Sequence, residues 1–389
     1  MAELETLREI REVNSAFPYT APVKAHKEKG GKVVAWQCTY VPEELIWAAG
    51  LLPVRMTGDS KELELGDANA YLSVNNCSFC RSCLQMVVDK EWDFLDGYVS
   101  AATCDGSRRL ADIWQYYISI PLLYTLHVPR KTTESAHQNY LAEVQEMKRR
   151  LESHFGVRIT DDRLREAIQL FNRMRVLLRE LSELMKADRP PITGAEALEV
   201  MNASGRMPKD QFNRVLERLL EEAKSGKRAV EKKARILLTG SPLNNPEFIQ
   251  TIEGEGALVV VNELCTGLRY WWGLVAEDAY SDPLEAISRR YLSSFPCARM
   301  QPYYTRLDEV LALAKAYRVD GVVSEAIRYC QPYGFSNPLL RRRLEDAGIP
   351  MLELDVEYGV TGSGQIRTRV QAFLETIEGR ESRLKVETL

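Results

Sequence analysis

The sequence of 389 residues has little that would place it in a membrane or on nucleic acid. No apolar run approaches the roughly 18 residues of a membrane span, and the charged amino-terminal segment argues against a secretory signal. Lysine plus arginine (51) are outnumbered by aspartate plus glutamate (55), so the formal charge is −4 and no basic excess is available for nucleic acid. We therefore expect a cytoplasmic protein that binds neither membranes nor nucleic acid.

Nucleotide-binding loops are also missing from the sequence. No G-x4-G-K-[ST] run occurs, and neither GEGAL (254–258) nor TGSGQ (361–365) completes G-x-G-x-x-G. If ATP is used, another protein hydrolyses it. What the chain does have is eight cysteines beside only four histidines. Because a reducing compartment disfavours disulfides, clustered thiols here indicate metal binding or catalysis.

The length and the apolar pattern predict two α/β domains. At roughly 150 residues per domain, the chain has room for two or three. Over residues 31–130 short apolar strands alternate with helix-like segments, and the same alternation resumes over 234–389. Such alternation is typical of a parallel sheet covered by helices, so we expect two doubly wound parallel-sheet domains.

The segment between these domains, residues 131–233, is predicted to be a helical insertion. Its apolar residues recur at helical spacing after the capping pair Thr160 and Asp161, and again after Pro208. Residues 1–30 are predicted to form a separate amino-terminal helical segment.

A weak internal repeat accompanies the two α/β segments. The runs DGYVS (96–100) and DGVVS (320–324) each enter a predicted strand that ends near a cysteine. Strand and helix order pairs Cys38 with the region of Gly240, whereas cysteine spacing pairs it with Cys265. Strand order is the stronger guide, because it reflects the fold rather than a single residue type.

Cysteines recur at one position in the predicted domains. Four lie at or just past the carboxyl end of a strand: Cys38, Cys104, Cys265 and Cys330. In doubly wound sheets that edge binds ligands. One free cysteine is more often a small core residue, but several at the same edge favour a shared metal or cluster. With so few histidines the ligands would be almost purely thiolate, which favours zinc or an iron–sulfur cluster.

The local spacing favours a cluster over zinc. The run Cys77-Ser-Phe-Cys80-Arg-Ser-Cys83 lacks the fourth cysteine of a bacterial ferredoxin, since position 87 is valine. A zinc ribbon needs two C-x2-C pairs about 15 to 20 residues apart, and this run has no such counterpart. On a helix its thiols point in different directions, so Cys77 alone is expected to be a ligand. Ligands far apart in sequence that converge between two domains fit a buried iron–sulfur cluster.

Seven further segments form a recognisable set: WQCTYVPEELIWAAGLLPVR (36–55), NNCSFCRSCL (75–84), TCDGSRRLADIW (103–114), ELCTGLRYW (263–271), YLSSFPC (291–297), VDGVVSEAIRYC (319–330) and GSGQIRTRVQAFLE (362–375). Together they resemble the 2-hydroxyacyl-CoA dehydratase and benzoyl-CoA reductase family, including its double-cubane cluster protein branch. The set covers nearly the whole chain outside the helical middle. The resemblance implies that a cluster lies in the cleft between the two α/β domains.

The resemblance also implies a ligand set. Dehydratases of the family hold one 4Fe-4S cluster through three cysteines, which here resemble Cys77, Cys104 and Cys330. Double-cubane members add a second cubane joined through a sulfide, and the extra thiols here resemble Cys38, Cys265 and Cys297. The presence of the complete set favours the double-cubane (8Fe-9S) branch over a single 4Fe-4S cluster. On this basis Cys80 and Cys83 are expected to be spare.

The function implied by the resemblance is that of a reductase component. A separate ATP-hydrolysing iron–sulfur activator would supply low-potential electrons, and the cluster would pass them to a small unsaturated substrate. One alternative is a dehydratase or benzoyl-CoA reductase subunit whose single 4Fe-4S cluster acts on a CoA thioester. Another is a non-enzymatic iron–sulfur electron carrier. A homodimer is the expected assembly.

Reduction also needs a proton donor beside the cluster. Tyr40, Glu44 and Glu325 are the candidates, because each lies within a few residues of a proposed ligand cysteine. For Glu44 there is a simpler interpretation, since a negative charge is favourable in the first turn of a helix.

Overall fold

Two four-stranded parallel sheets organise the structure, a computed structural model that describes residues 4–59, 61, 64–359 and 364–387. Side chains are described as far as Arg380, and residues 361–363 of the TGSGQ run lie outside the described part. Every strand pair in both sheets is parallel. The predicted fold class, two wound parallel α/β sheets, is confirmed.

The two sheets have the same strand order. The first, ordered β2-β1-β3-β4, consists of β1 (Val33–Trp36), β2 (Leu52–Arg55), β3 (Gly97–Ala102) and β4 (Leu123–His127). The second, ordered β6-β5-β7-β8, consists of β5 (Ala234–Gly240), β6 (Ala257–Glu263), β7 (Gly321–Ile327) and β8 (Met351–Val356). Strand β1 reads VVAW and is buried throughout, because helices cover both faces of a parallel sheet.

The helices fall into three groups along the chain. Those of the first part are α1 (Glu5–Ser15), α2 (Ala21–Glu28), α3 (Glu43–Ala48), α4 (Gly66–Tyr71), α5 (Ser78–Val88) and α6 (Asp105–Tyr117). Those between the sheets are α7 (Glu134–Phe155), α8 (Asp161–Leu184), α9 (Gly194–Ser204) and α10 (Lys209–Lys224). Those of the last part are α11 (Pro246–Gly254), α12 (Leu268–Trp271), α13 (Pro283–Ser293), α14 (Tyr304–Ala316), α15 (Gln331–Glu345) and α16 (Gly364–Glu387).

The middle helices contact elements from both sheets. Helix α8 begins at Asp161 because the Thr160 side chain accepts a hydrogen bond from the Arg163 backbone N–H and caps it. It packs against α3 of the first part and α13 of the last part. No helix within the described ranges combines the length and apolar character that crossing a membrane requires.

Two buried ion pairs join α3 to the middle helices. The Glu43 carboxylate lies 3.0 Å from the Lys209 ammonium, and the Glu44 carboxylate pairs with the Arg175 guanidinium. All four side chains are almost completely buried. Because a buried charge is stable only when it is paired, these contacts fix the position of α3 relative to α8 and α10.

The internal repeat is visible in the sheets. Asp96 accepts a hydrogen bond from the Val33 backbone at the start of β1, and Asp320 accepts one from the Arg235 backbone in β5. The matching strand orders pair β1 with β5 and β3 with β7. They confirm that the position of Cys38 corresponds to the region after Gly240 rather than to Cys265.

Candidate functional site

A cavity between the carboxyl edges of the two sheets is lined by most of the cysteines. It contains about 840 Å³ of space free of protein atoms, part of it open to solvent. Seven of the eight cysteines line it: Cys38, Cys77, Cys80, Cys104, Cys265, Cys297 and Cys330. No disulfide joins any of them. The cavity therefore brings together thiols from both α/β units at the edge where parallel sheets bind ligands.

Three of these cysteines begin helices that point at the cavity. Cys77 is the N-cap residue of α5, Cys104 of α6 and Cys330 of α15. The Cys104 sulfur accepts a hydrogen bond from the Ser107 backbone N–H at 3.4 Å. Backbone N–H groups and the helix dipole favour negative charge at the start of a helix, and at these three positions this effect opposes that of burial.

The remaining three of the predicted ligand cysteines lie on loops. Cys38 follows β1 and Cys265 follows β6, whereas Cys297 follows α13. Cys38 has a backbone φ of 79°, and Tyr329, just before Cys330, has a φ of 68°. A left-handed conformation is unfavourable for residues other than glycine, and such strain concentrates at functional sites.

The charged side chains that line the cavity are all cationic. Among the described lining residues the charged groups are Arg55, Arg269 and Arg299, with no Asp, Glu or Lys. Arg269 is 3 % exposed, and within the described part of the chain its Nη1 has no hydrogen-bond partner. An unpaired buried donor of this kind suits an anionic group in the cavity.

Burial and mutual repulsion disfavour free thiolates at most of these positions. Burial raises the pKa of Cys104 to about 12, with the Cys77 charge adding to the effect, and the same two causes raise the pKa of Cys330. Burial also raises the pKa of Cys38. By contrast, a hydrogen bond between the Cys77 and Cys80 side chains lowers the pKa of Cys77. A bound metal cation is what turns such a set into thiolates.

The thiols surround the cavity rather than meeting at one point. Over the described ranges, no group of three His, Cys, Asp or Glu side chains converges closely enough to hold one metal ion. No histidine lines the cavity among those residues, so its donors are soft sulfur atoms. Such a set fits a group of several metal atoms better than a single zinc ion.

Of the predicted proton donors, the structure brings only Tyr40 to the cavity. Its hydroxyl accepts a hydrogen bond from the Cys297 backbone N–H at 3.4 Å, and burial raises its pKa. Glu44 does not line the cavity, because its carboxylate is held by Arg175 and by the Tyr291 hydroxyl at 2.6 Å. Burial acts to raise the pKa of Glu44, but the charges of Arg175 and Arg290 together with the hydrogen bonds from Arg175 and Tyr291 outweigh it, so the pKa is lowered.

Glu325 lies behind the cavity wall. It is 1 % exposed, and among the described residues its Oε2 has no hydrogen-bond partner. Burial raises the pKa of its carboxyl to about 8, and the charge of Cys77 contributes to the increase. Glu325 therefore holds a proton at neutral pH close enough to Cys77 to respond to its charge.

A comparison with protein families identifies the group to which this architecture belongs. The model described as "2-hydroxyglutaryl-CoA dehydratase, D-component" matches residues 38–377. The match starts at Cys38 and includes every cysteine of the chain. The chain belongs to this dehydratase family.

Relatives of the chain within the 2-hydroxyglutaryl-CoA dehydratase family include named components of enzymes. The putative dehydratase subunit YjiM of Escherichia coli is 29 % identical over 90 % of this chain and 93 % of its own length. The beta subunit of (R)-phenyllactyl-CoA dehydratase from Clostridium sporogenes is 24 % identical over 91 % and 94 %. A benzoyl-CoA reductase subunit from Thauera aromatica is 25 % identical over 89 % and 91 %. The resemblance to dehydratases and benzoyl-CoA reductases is confirmed.

Sequence reasoning did not single out the arginines of this dehydratase-family cavity. Arg269 lies in the segment ELCTGLRYW (263–271), four residues after Cys265, so its proximity to a thiol could have been inferred from the sequence. Arg299 follows Cys297 by two residues and donates to the backbone carbonyls of Pro129 and Val128. These partners are remote in sequence, so no local signal marks the contact.

Proposed function

We propose that this member of the dehydratase family is an iron–sulfur reductase component that reduces a small unsaturated substrate. Its ligands would be those of a double-cubane 8Fe-9S cluster: Cys38, Cys77, Cys104, Cys265, Cys297 and Cys330. The observation that carries the proposal is that all six thiols line one cavity between the sheets. When bound, such a cluster supplies electron transfer at low potential.

The two kinds of cysteine position support two cubanes. The helix-capping thiols lie at the N-termini of three helices, where the helix dipole is positive: Cys77, Cys104 and Cys330. The loop thiols lie among the cavity arginines. Burial acts to lower the pKa of Arg269, but the charges of Tyr333 and Glu263 raise it, and those of Cys297 and Cys265 add to the increase. Each set would hold one cubane, and Arg269 would offset the negative charge of the second.

Electrons would come from a separate protein. The sequence lacks the loops that bind nucleotide phosphates, so ATP hydrolysis would belong to an iron–sulfur activator partner. Cys104 also lines a polar groove on the outer surface together with Arg108 and Arg130, and Cys330 lines a second groove. These grooves offer an approach to Cys104 and Cys330 from outside. A homodimer in the cytoplasm is the assembly that we propose.

An alternative is supported by the names of the relatives. Two of them are described as components of a CoA-ester dehydratase and of a benzoyl-CoA reductase. In that case the chain would be one subunit of such an enzyme, with a single 4Fe-4S cluster held by the helix-capping thiols. A non-enzymatic electron carrier would contain a cluster that is reduced and reoxidised without turning over a substrate.

Metal analysis of the protein purified without oxygen tests the proposal. We expect about eight irons and about nine acid-labile sulfides per chain, because each cubane contains four of each and one further sulfide joins the two. About four irons would favour the single-cluster dehydratase. Zinc without sulfide would contradict both. The Cys83→Ser variant is the matched control, since Cys83 is buried and does not line the cavity among the described residues.

The pH dependence of stability tests whether Glu325 stores a proton. Its pKa is about 8 in the folded protein against an ordinary value of 4.5. Because the folded state then binds the proton more tightly, the stability it contributes is full below pH 4.5 and is lost as pH rises to about 8. We expect Glu325→Gln to reduce this decline by up to about 4 kcal/mol.

The measurement is denaturant unfolding of the metal-free protein at several pH values. The exposed Glu375→Gln variant on α16 should follow the wild type at every pH. If Glu325→Gln and the wild type lose stability in parallel as the pH rises, Glu325 does not hold a proton and is not the donor.

A further inference from the structure

Cys77 and Cys80 form a pair of adjacent thiols at the start of α5. Cys77 caps the helix and Cys80 lies in its first turn, and their sulfur atoms are 3.6 Å apart. A disulfide requires about 2.05 Å, so small side-chain rotations would join them. Both line the cavity, although Cys80 is only 2 % exposed. Cys80, which the sequence analysis expects to be spare, therefore lies within reach of a predicted ligand thiol.

The start of α6 holds the two sulfurs together. A Cβ atom at Gly106 would lie 3.0 Å from the Cys80 sulfur and 3.4 Å from the Cys77 sulfur. Glycine is therefore what lets α6 approach both thiols directly. This packing restricts where the sulfurs can move and keeps them within reach of each other.

Cys83, one turn further along α5, has a different environment. It is completely buried, and its sulfur accepts a contact from the Gln37 amide at 3.8 Å. It does not line the cavity in the part of the chain that the structure describes. Its buried position on the same helix makes it an internal control for any chemistry of the pair.

We propose that Cys77 and Cys80 are a redox-modification site, at which an intramolecular disulfide forms when the cavity holds no metal group. The oxidant is a small-molecule disulfide. Cys77 attacks one of its sulfurs and releases one small thiol, and Cys80 then attacks the Cys77 sulfur and releases the second. The protein loses two hydrogens, which leave on the two small thiols, and one small disulfide is reduced.

The disulfide removes Cys77 from the ligands available to a cluster. Metal uptake would then require prior reduction of the protein, so the pair would report whether the surroundings are reducing. Transient redox sensing of this kind is the usual role of cytosolic disulfides. This consequence rests on the proposed function, because it assumes that Cys77 is a ligand. Formation of the disulfide does not depend on the proposed function.

Peptide mass mapping tests the disulfide. The full chain, freed of metal by a chelator under anaerobic conditions, is treated with oxidised glutathione, alkylated and digested. We expect a Cys77–Cys80 link in the wild type and in Cys83→Ser. In Cys80→Ser and Cys80→Ala we expect a lasting glutathione adduct on Cys77. Free thiols in the wild type, a lasting adduct on its Cys77, or a link to another cysteine would overturn the proposal.

Iron uptake by the same samples separates the formation of the disulfide from its effect on metal binding. Oxidised wild type is expected to lose most of its iron uptake and to regain it after treatment with dithiothreitol. Undiminished uptake by protein with a mapped Cys77–Cys80 disulfide would refute the loss of Cys77 as a ligand. If reduced protein takes up no iron and sulfide, the proposed function fails, whereas the mapping still decides whether the disulfide forms.

Discussion

Replacing Cys265 or Cys297 by serine is expected to leave the protein with about half of its iron and acid-labile sulfide. Serine keeps the size of the side chain but replaces a soft thiolate by a hydroxyl, which is a poor ligand for iron in a sulfide cluster. Both cysteines are half-buried on loops beside the cationic Arg269, so neither substitution removes a core side chain. The loss should therefore be confined to one of two cubanes.

Two comparisons make the result specific. Serine at Cys104 or Cys330 should remove iron from the other cubane, which the helix N-termini support. The Cys83→Ser variant should keep its full iron content. Iron and sulfide per chain are measured by colorimetric assay, with circular dichroism to confirm folding. Unchanged iron in both Cys265→Ser and Cys297→Ser would contradict a double cubane and favour the single-cluster dehydratase.

Replacing Arg175 by methionine is expected to destabilise the protein by about 3 to 5 kcal/mol. The side chains of Arg175 and Glu44 are 1 % and 0 % exposed, and Glu44 also accepts a hydrogen bond from the Tyr291 hydroxyl. Methionine fills much of the space but leaves the Glu44 carboxylate buried without its counter-charge. Because this ion pair joins α3 to α8 beside the first sheet, the cavity walls should loosen as well.

A neighbouring arginine gives a matched control. Arg173 is on the same helix, but its ion pair with Glu217 is exposed at 52 % and 39 %. Exposed pairs contribute about 0 to 1 kcal/mol, so Arg173→Met should have little effect. Urea unfolding of the two variants is the measurement. Equal losses of stability in the two variants would mean that the buried ion pair has no special role. Recovery of stability in a Glu44→Gln, Arg175→Met double variant would support the view that the unpaired Glu44 charge causes the loss.

The sequence predicted the fold and the cysteine positions because both depend on local pattern. Alternating apolar strands and helices indicate a parallel sheet, and a cysteine at a strand end is visible without any tertiary contact. Cys38, Cys104, Cys265 and Cys330 do follow β1, β3, β6 and β7. The strand order also resolved the ambiguous pairing of Cys38.

What the sequence could not predict depends on contacts between distant residues. Glu44 looked like a helix-start carboxylate or a proton donor, but its partner Arg175 is 131 residues away. Glu325 lies close to a cysteine in sequence, yet β7 directs it behind the cavity, beside Gly240. The closeness of Cys77 and Cys80 required the packing of α6, which a C-x2-C spacing alone does not reveal.

The walls of the cavity have a consequence for how the protein matures in the cell. They are built from residues as early as Gln37 and as late as Tyr333. A ribosome therefore has to synthesise most of the chain before the cavity exists. Cys330 is among the last cavity residues to leave the ribosome. A metal group held by thiols of both α/β units could be completed only after Cys330 has left the ribosome. Until then the early cysteines depend on the reducing power of their surroundings.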